Sequence, residues 1–156
     1  MIATGAAVVL SYVLGSVPTG LWLGLWLRGL DIREHGSRNI GATNTLRLLG
    51  KGIGLGALAG DVGKGIVAVL FLARLSSWPY APIACGIAAI LGHTASVFLK
   101  FRGGKGVATS AGVFAVLCPL PALIAGGAFL VVVGLTRIVS AGSCSAVVAF
   151  TLSVYV

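Results

Sequence analysis

Charged side chains are scarce in this chain of 156 residues: Asp, Glu, Lys and Arg together make up only 9% of it. Soluble domains carry about 25% of these residue types, so a water-soluble globular fold is excluded. Disorder is excluded as well, because disordered segments need low hydrophobicity and 58% of this chain is hydrophobic. What remains is a protein that lies largely within a lipid bilayer.

Acidic, histidine and cysteine residues are also few, and their shortage excludes several kinds of site. Cys85, Cys118 and Cys144 are odd in number and far apart, so a disulfide scaffold is excluded. Three acids and two histidines show no His-Glu-x-x-His spacing, so we predict no metal site and no cofactor. Each Gly-Lys pair is followed by Gly, so the Walker pattern fails and we predict no nucleotide ligand.

Long apolar runs predict an all-α fold, a polytopic transmembrane helical bundle that forms a single integral-membrane domain over residues 1–156. A helical span needs about 20 apolar residues, and residues 1–27, 52–73 and 77–99 are each long enough. The intervening residues 28–51 are polar and predict a loop.

The last third of the chain leaves two interpretations open. Residues 106–136 are too long for one straight span and contain Cys-Pro-Leu-Pro at 118–121, so we predict two short spans. One tilted, proline-kinked helix is the alternative. Residues 143–156 form an apolar run that is too short to cross a bilayer, so we expect the domain to be incomplete at its C-terminal end.

The distribution of basic residues predicts the orientation in the membrane. Eleven Lys and Arg against three Asp and Glu leave a net charge of +8. The cations concentrate in three loops, at residues 28–51, 100–105 and 137–142. With two spans in residues 106–136, all three loops fall on one side. The positive-inside rule makes that side cytoplasmic and places the N-terminus outside.

The first basic loop, residues 28–51, is rich in hydrogen-bond donors. The small residues Gly41 and Ala42 let the backbone approach an anion closely. The side chains that can donate to phosphate oxygens are Ser37, Asn39, Thr43, Asn44 and Arg47. The pattern favours a phosphate-binding loop, and a solvated loop that only follows the positive-inside rule is the alternative.

The second basic loop, residues 100–105, precedes a helix that we expect to begin near Val107. Gly103 and Gly104 form a diglycine whose backbone N–H groups can make an anion-binding nest. Arg102 and Lys105 flank it, and the helix dipole adds positive potential. This arrangement predicts a second phosphate-binding segment, with a patch for membrane-lipid headgroups as the alternative.

Ionisable residues inside the predicted spans are costly unless they are paired. Asp61 and Lys64 are three residues apart and share one helical face, either as a self-contained pair or facing a polar cavity. His35 in the first loop and His93 in the third span are the candidate acid–base groups. For His93, a hydrogen-bonded helix residue is the alternative. Gly-Ser-Val-Pro-Thr-Gly at 15–20 breaks the first span, as a kink or as backbone lining a cavity.

Several motifs recur together along the first two thirds of the chain. They are the residues 15–20 just named, His-Gly-Ser-Arg-Asn-Ile-Gly-Ala-Thr-Asn at 35–44 with Arg47, Asp-Val-Gly-Lys-Gly at 61–65, Gly-His at 92–93, and Phe-Leu-Lys-Phe-Arg-Gly-Gly-Lys-Gly-Val-Ala-Thr at 98–109. In this order they resemble the bacterial acyl-phosphate:glycerol-3-phosphate acyltransferases of the PlsY type. A weaker match at residues 137–143 resembles the family's serine-containing third cytoplasmic loop.

The resemblance implies an enzyme of the bacterial cytoplasmic (inner) membrane that moves a fatty acyl group from acyl phosphate to the 1-hydroxyl of glycerol 3-phosphate. Its partners would be these two substrates and membrane lipid, with no nucleotide and no nucleic acid. By resemblance, Ser37, Arg47 and Lys105 bind phosphate oxygens. The backbone of residues 41–43, with Ser140 or Ser143, completes the pocket. The family continues into a segment with a His, an Asn and a Glu, which this chain does not reach.

The sequence leaves two classes of function open, an enzyme and a transporter or scaffold. As an enzyme, the protein would let the glycerol hydroxyl attack the acyl phosphate directly, because phosphate is already a good leaving group, and no side chain is assigned as the catalytic base. As the rival, an anion or lipid transporter or a scaffold would use the broken first span with Asp61 and Lys64 to line a route.

Overall fold

The computed structural model describes residues 2–155, and within that range every regular element is a helix. The long helices are α1 (Ile2–Ser16), α2 (Thr19–Arg28), α3 (Ala42–Leu70), α4 (Ala81–Thr94), α5 (Val107–Leu117), α6 (Pro119–Thr136) and α7 (Val139–Val154). Short 3-10 helices cover Leu72–Leu75 and Val97–Leu99. This architecture confirms the predicted all-α membrane fold.

Three helical segments of residues 2–155 are long and apolar enough to cross a membrane: Ala42–Leu75, Ala81–Leu99 and Pro119–Thr136. Helices α1 and α2 together pass the same test as a fourth segment, bent by 44°. The bend lies within the motif at residues 15–20, where a break was predicted. Helices α5 and α7 are apolar but shorter.

Residues 42–49, which were predicted as part of the first loop, are helical and form the first segment of α3, whereas the segment after Gly50 agrees with the predicted span at residues 52–73. Asn44 and Thr45, which look like loop residues in the sequence, are 1% and 0% exposed and face the protein interior. Leu and Arg in the same run have good helix propensity. Gly50 interrupts α3 with φ 84° and ψ 175°, a positive φ that glycine adopts at no steric cost, so α3 consists of two helical segments that meet at this break.

The C-terminal region has the predicted break between two helices, but its last loop is shorter than predicted. Helix α5 ends at Leu117 and α6 begins at Pro119, as expected from a proline that is tolerated only in a helix's first turn. The loop predicted at 137–142 is much shorter, since α7 already begins at Val139. The hydroxyl of Ser143 donates to the carbonyl of Val139, a bond that fits a serine inside a helix.

The chain divides into two compact units on either side of the Val113–Phe114 bond. In the first unit, glycines allow helices to touch: a Cβ on Gly15 would overlap the backbone of Ala89. Such small-residue contacts bring helix backbones together in membrane proteins. In the second unit, α6 packs on α7, and the rings of Phe114 and Phe150 lie 4.7 Å apart.

Candidate functional site

The amide of Asn44 organises the first basic loop. Its Oδ1 accepts a hydrogen bond from the backbone N–H of Ser37 at 2.9 Å. Its Nδ2 donates to the carbonyls of Ile32 at 2.9 Å and His35 at 3.3 Å. Both N–H groups of the amide are therefore engaged within the protein. Asn44 closes the loop onto the first turn of α3 and, in this structure, keeps no free donor for a phosphate.

The start of α3 presents free backbone donors. Gly41 is extended, and its N–H donates to Oδ1 of Asn39 at 2.9 Å. The next two N–H groups, of Ala42 and Thr43, have no acceptor within residues 2–155. Free N–H groups and the positive end of the helix dipole make such a terminus favourable for an anion. Of the backbone donors predicted at residues 41–43, that of Gly41 is already bonded, and the binding of phosphate by the other two stays a prediction.

The remaining predicted donors of the first unit are exposed at the surface. Ser37, Thr43, Arg47, Arg102 and Lys105 all belong to this class. Within the part of the chain that the structure describes, Arg47 and Lys105 take part in no salt bridge. Their charges are free to meet an anion from outside. Their binding of phosphate stays a prediction.

The two loops meet around a cavity of about 700 Å³. Its lining is formed by Arg33, Arg38, Ile40, Phe98, Leu99, Lys100, Arg102 and Gly103. Of the predicted site residues, only Arg102 and Gly103 belong to it. The sequence carries no signal for the others, because nothing in their spacing says that the two loops face each other.

The diglycine of the second loop does not form the expected anion nest. The N–H of Gly103 donates to the carbonyl of Thr94 at 3.0 Å, and the N–H of Gly104 donates to that of His93 at 2.9 Å. Both donors are thus used to fasten the loop to the end of α4. Glycine at both positions lets the loop backbone lie directly against His93. A Cβ on Gly103 would overlap the carbonyl of His93, and a Cβ on Gly104 would overlap Nε2 of the same residue.

Beneath this loop lies a buried polar cluster of Asp61, Lys64 and His93, each at most 4% exposed. Nζ of Lys64 lies 2.9 Å from Oδ1 of Asp61 and 2.8 Å from Nδ1 of His93. It also donates to the carbonyl of Val17 at 2.9 Å, in the break between α1 and α2. The pair is therefore not self-contained, because it ties α3 to α4 and to the broken first span.

The cluster sets the orientation of the His93 ring. An ammonium group only donates hydrogen bonds, so Nδ1 of His93 accepts from Lys64 and a neutral ring carries its proton on Nε2. That nitrogen lies against Gly104. The interpretation of His93 as a hydrogen-bonded helix residue agrees with this geometry. Its ring also supports the second basic loop, which no sequence pattern indicates.

The first loop contains one exposed ion pair. The guanidinium of Arg33 lies 2.6 Å from Oδ2 of Asp31, and its hydrogen bonds hold the pKa of that carboxyl below its ordinary value. The same hydrogen bonds raise the pKa of Arg33. Asp31 thus neutralises one of the cations that line the cavity.

The other predicted residues are His35, in the first loop, and two serines of the second unit. His35 is exposed. Ser140 and Ser143 lie in α7, within the unit that begins at Phe114. No group of three or more His, Cys, Asp or Glu within residues 2–155 could hold a metal ion.

Comparison with known proteins gives a consistent result. The family model for glycerol-3-phosphate acyltransferase matches residues 5–156. The glycerol-3-phosphate acyltransferase of Desulforudis audaxviator (strain MP104C) is 52% identical over 134 residues, 86% of this chain and 67% of the relative. That of Acaryochloris marina (strain MBIC 11017) is 44% identical over 177 residues, covering all of this chain and 77% of the relative.

Solved structures agree with these relatives. The crystal structure of PlsY (YgiH), an integral membrane glycerol 3-phosphate acyltransferase, in its glycerol 3-phosphate form superposes with a TM-score of 0.90 at 35% identity. The match covers 97% of this chain and 76% of that one. The lysophosphatidic acid form of the same enzyme gives a TM-score of 0.87 at 34% identity.

Proposed function

This chain belongs to the glycerol-3-phosphate acyltransferase family, and we propose that it transfers a fatty acyl group from acyl phosphate to the 1-hydroxyl of glycerol 3-phosphate. The products would be lysophosphatidic acid and inorganic phosphate. The glycerol 3-phosphate and lysophosphatidic acid forms of the related PlsY structure support the acceptor and the product.

The observation that carries this proposal is the free start of α3. The N–H groups of Ala42 and Thr43 are unpaired within residues 2–155, and the exposed cations Arg47 and Lys105 have no carboxylate partner there. Two phosphorylated substrates need such donors, because each brings negative charge that must be neutralised at the membrane surface. We assign glycerol 3-phosphate to Ser37, Arg47 and Lys105, with the backbone of residues 41–43 close by.

The proposed step is a direct acyl transfer. The glycerol hydroxyl oxygen attacks the acyl carbonyl carbon, a new ester C–O bond forms, and the C–O bond to phosphate breaks. Phosphate leaves with the bonding electron pair. The protein contributes by holding the glycerol hydroxyl against the acyl carbonyl carbon and by stabilising the negative charge with donors that are already in place.

The hydroxyl proton needs an acceptor, and a substrate phosphate oxygen is the group that we propose. His93 is a poor base for this purpose, because its Nδ1 already accepts from Lys64 and its Nε2 carries the proton of the neutral ring. His35 is exposed in the first loop. No side-chain base is then required, and phosphate oxygens are basic enough to take a proton as the ester forms.

An assay with two substrates tests the proposal. The purified protein in neutral detergent, with acyl phosphate and radiolabelled glycerol 3-phosphate, should form labelled lysophosphatidic acid and release one phosphate for each ester. Acyl-CoA in place of acyl phosphate is the matched control and should give no product. An acyl group trapped on Ser37 would contradict direct transfer, and turnover with acyl-CoA alone would contradict the donor.

The rival transporter function loses its main structural support. In that hypothesis Asp61 and Lys64 line a route for an anion, but all three donors of Lys64 are bonded inside the protein. The same detergent assay separates the two functions. Ester formation needs no sealed compartment, whereas transport requires two compartments.

We also propose that the protein lies in the bacterial cytoplasmic membrane with residues 28–51, 100–105 and 137–142 on the cytoplasmic side and the N-terminus outside. A thiol introduced at position 38, with the native cysteines replaced, tests this orientation. A membrane-impermeant maleimide should label it only after the cells are opened. Labelling in intact cells would reverse the assignment.

A further inference from the structure

The break in the first span changes the hydrogen bonds of two backbone carbonyls. Helix α1 ends at Ser16, and Pro18, which has no N–H, lies at the break before α2. The carbonyl of Val17 accepts a hydrogen bond from Nζ of Lys64 at 2.9 Å. Within residues 2–155, the N–H of Gly20, four residues after Ser16, does not bond to the carbonyl of Ser16. Inside a membrane protein such a carbonyl needs a donor from elsewhere in the chain.

The donor comes from the segment that leads into the second basic loop. Ser96 is 0% exposed, and its Oγ donates to the carbonyl of Ser16 at 2.6 Å. The carbonyl of Ser96 accepts from the N–H of Phe101 at 2.8 Å, which closes the turn at the start of the loop. One helical turn earlier in α1, the hydroxyl of Tyr12 donates to the carbonyl of Ala95. Two hydrogen bonds thus hold the base of the second loop against the end of α1.

The first basic loop meets the other side of the same break. A Cβ on Gly20 would overlap both the carbonyl oxygen of Ile40 and Oγ1 of Thr45. Both neighbours are buried, and Oγ1 of Thr45 also donates to the carbonyl of Gly41 at 3.2 Å. The backbone just before the start of α3 therefore lies directly on Gly20.

We propose that Tyr12, Ser96 and Gly20 are positioning residues, through which the broken first span sets the distance between the two basic loops. This inference rests on the proposed function, which assigns glycerol 3-phosphate to Arg47 on one side and Lys105 on the other. A ligand held from two loops loses affinity when the loops move apart, because hydrogen bonds weaken steeply with distance and angle. None of the three positioning residues is assigned to a substrate. The motif at residues 15–20 thereby acquires a role in the reaction.

A structural role and a positioning role predict different kinetics. If the contacts only stabilise the fold, their loss reduces the number of folded molecules, so the apparent kcat falls and the KM for glycerol 3-phosphate is unchanged. If they position the loops, every folded molecule binds glycerol 3-phosphate more weakly, so this KM rises. The Kd measured without acyl phosphate should rise with it.

Tyr12→Phe with Ser96→Ala tests the second loop, because it removes both hydroxyl groups and little else. The KM and kcat are measured in neutral detergent with acyl phosphate, and the Kd of glycerol 3-phosphate is measured by titration calorimetry. The KM and the Kd should rise at least about fivefold, the scale of losing one or two hydrogen bonds, with kcat changed less than about twofold. Tyr12→Phe alone keeps the ring and should show a smaller change in the same direction.

The matched control is Ser11→Ala with Ser76→Ala, which also removes two hydroxyl groups bonded to α1. Oγ of Ser11 donates to the carbonyl of Ala7 at 2.8 Å, and Oγ of Ser76 shares a hydrogen bond with Oγ1 of Thr4 at 2.6 Å. Neither bond involves a basic loop, so the KM should change less than about twofold.

Gly20→Ala tests the first loop from the same break. Its methyl group would press on the backbone of Ile40, so the KM for glycerol 3-phosphate should again rise at least about fivefold. Gly5→Ala is the matched control in α1, because its Cβ would meet no atom within 4 Å. Its KM should equal that of the parent.

The separation of the loops is also measured without turnover. Arg38→Cys with Lys100→Cys, in a background without the native cysteines, places one thiol on each loop at the cavity that they share. A short bismaleimide should cross-link them in the parent. In the protein that also carries Tyr12→Phe and Ser96→Ala, the rate should change at least about twofold, because a released loop samples other separations.

Three outcomes would overturn the proposal. They are an unchanged cross-linking rate, a fallen kcat with unchanged KM in both test variants, and a KM that rises equally in the controls. If the protein neither binds glycerol 3-phosphate nor turns over acyl phosphate, the proposed function fails, and the cross-linking rate alone decides whether the first span positions the loops.

Discussion

The cations of the buried cluster and those of the basic loops differ in their burial and in their hydrogen-bond partners. In the cluster, Lys64 is 4% exposed and all its donors are bonded to Asp61, His93 and the carbonyl of Val17. In the loops, cations such as Arg38 are exposed and have no carboxylate partner within residues 2–155. Basic side chains are therefore paired within the protein in one region and left without a carboxylate partner at the surface in the other.

The difference follows from the medium around each group. An ionised side chain inside a bilayer must be satisfied by the protein, because lipid offers no partner. At the aqueous surface, water solvates an unpaired cation at little cost, so evolution can leave it available for binding. Burial thus separates cations that need a partner within the protein from cations that water can solvate.

The largest effect is expected from Lys64→Met. The substitution leaves Asp61 buried without its cation, which typically costs about 3–5 kcal/mol. The free energy of unfolding in detergent micelles should fall by that amount. Lys51→Met, at an exposed lysine of the same helix, is the matched control and should change little. If the two variants were equally stable, the cluster would not carry the structural role assigned to it.

In the basic loops, Arg47→Ala and Lys105→Ala should each lose about 1.5–3 kcal/mol of transition-state stabilisation, the scale of a hydrogen bond to a charged group. The loss is read from kcat/KM for glycerol 3-phosphate, while the thermal midpoint should stay close to that of the parent. Arg28→Ala removes the same kind of charge at the end of α2 and should lose little. Small, equal losses at all three positions would reduce the loops to a lipid-headgroup patch.

The junction of the two regions is tested by Gly104→Ala. The added Cβ would overlap Nε2 of His93, and overpacking of this kind costs about 1–3 kcal/mol. Because the same contact positions the second loop, kcat/KM should fall together with stability. Gly63→Ala is a matched control, since its Cβ would meet no atom within 4 Å and alanine favours a helix. A stable, fully active Gly104→Ala protein would contradict the linkage.

The smallest effect is expected from Asp31→Asn, at an exposed ion pair of the first loop. Arg33 holds the pKa of Asp31 below its ordinary value of 3.8, so the pair stabilises the folded state above that pH and loses this contribution as pH falls through the lowered pKa. At neutral pH the difference should be below about 0.5 kcal/mol, because solvent screens the pair. Stability curves of both proteins against pH should converge in acid.

Much of the membrane architecture could be predicted from the sequence, since apolar runs and proline act locally. The break between α5 and α6 lies just before Pro119, within the Cys-Pro-Leu-Pro run at 118–121 that predicted it. The start of α3 was missed by contrast, because Asn44 and Thr45 are polar yet buried. A polar residue that supports a loop from inside and one that binds a ligand from outside look the same in a sequence.

The candidate site, too, could be predicted only in part from the sequence. The loop motifs pointed to Ser37, Arg47 and Lys105, and these residues are exposed as a binding role requires. The motif at residues 103–104 suggested an anion nest, but its N–H groups bond to α4. Glycine permits both uses, and only the neighbouring backbone decides between them.

By itself, the sequence determined that this protein is a helical membrane protein with basic loops, because composition, run length and charge segregation are properties of the chain alone. Only the tertiary structure decided which cations are satisfied and which remain available. Lys64 finds Val17 and His93, which are 47 and 29 residues away along the chain. The cavity likewise joins residues near 38 with residues near 100. Such pairings depend on helix packing in three dimensions, and no local pattern encodes them.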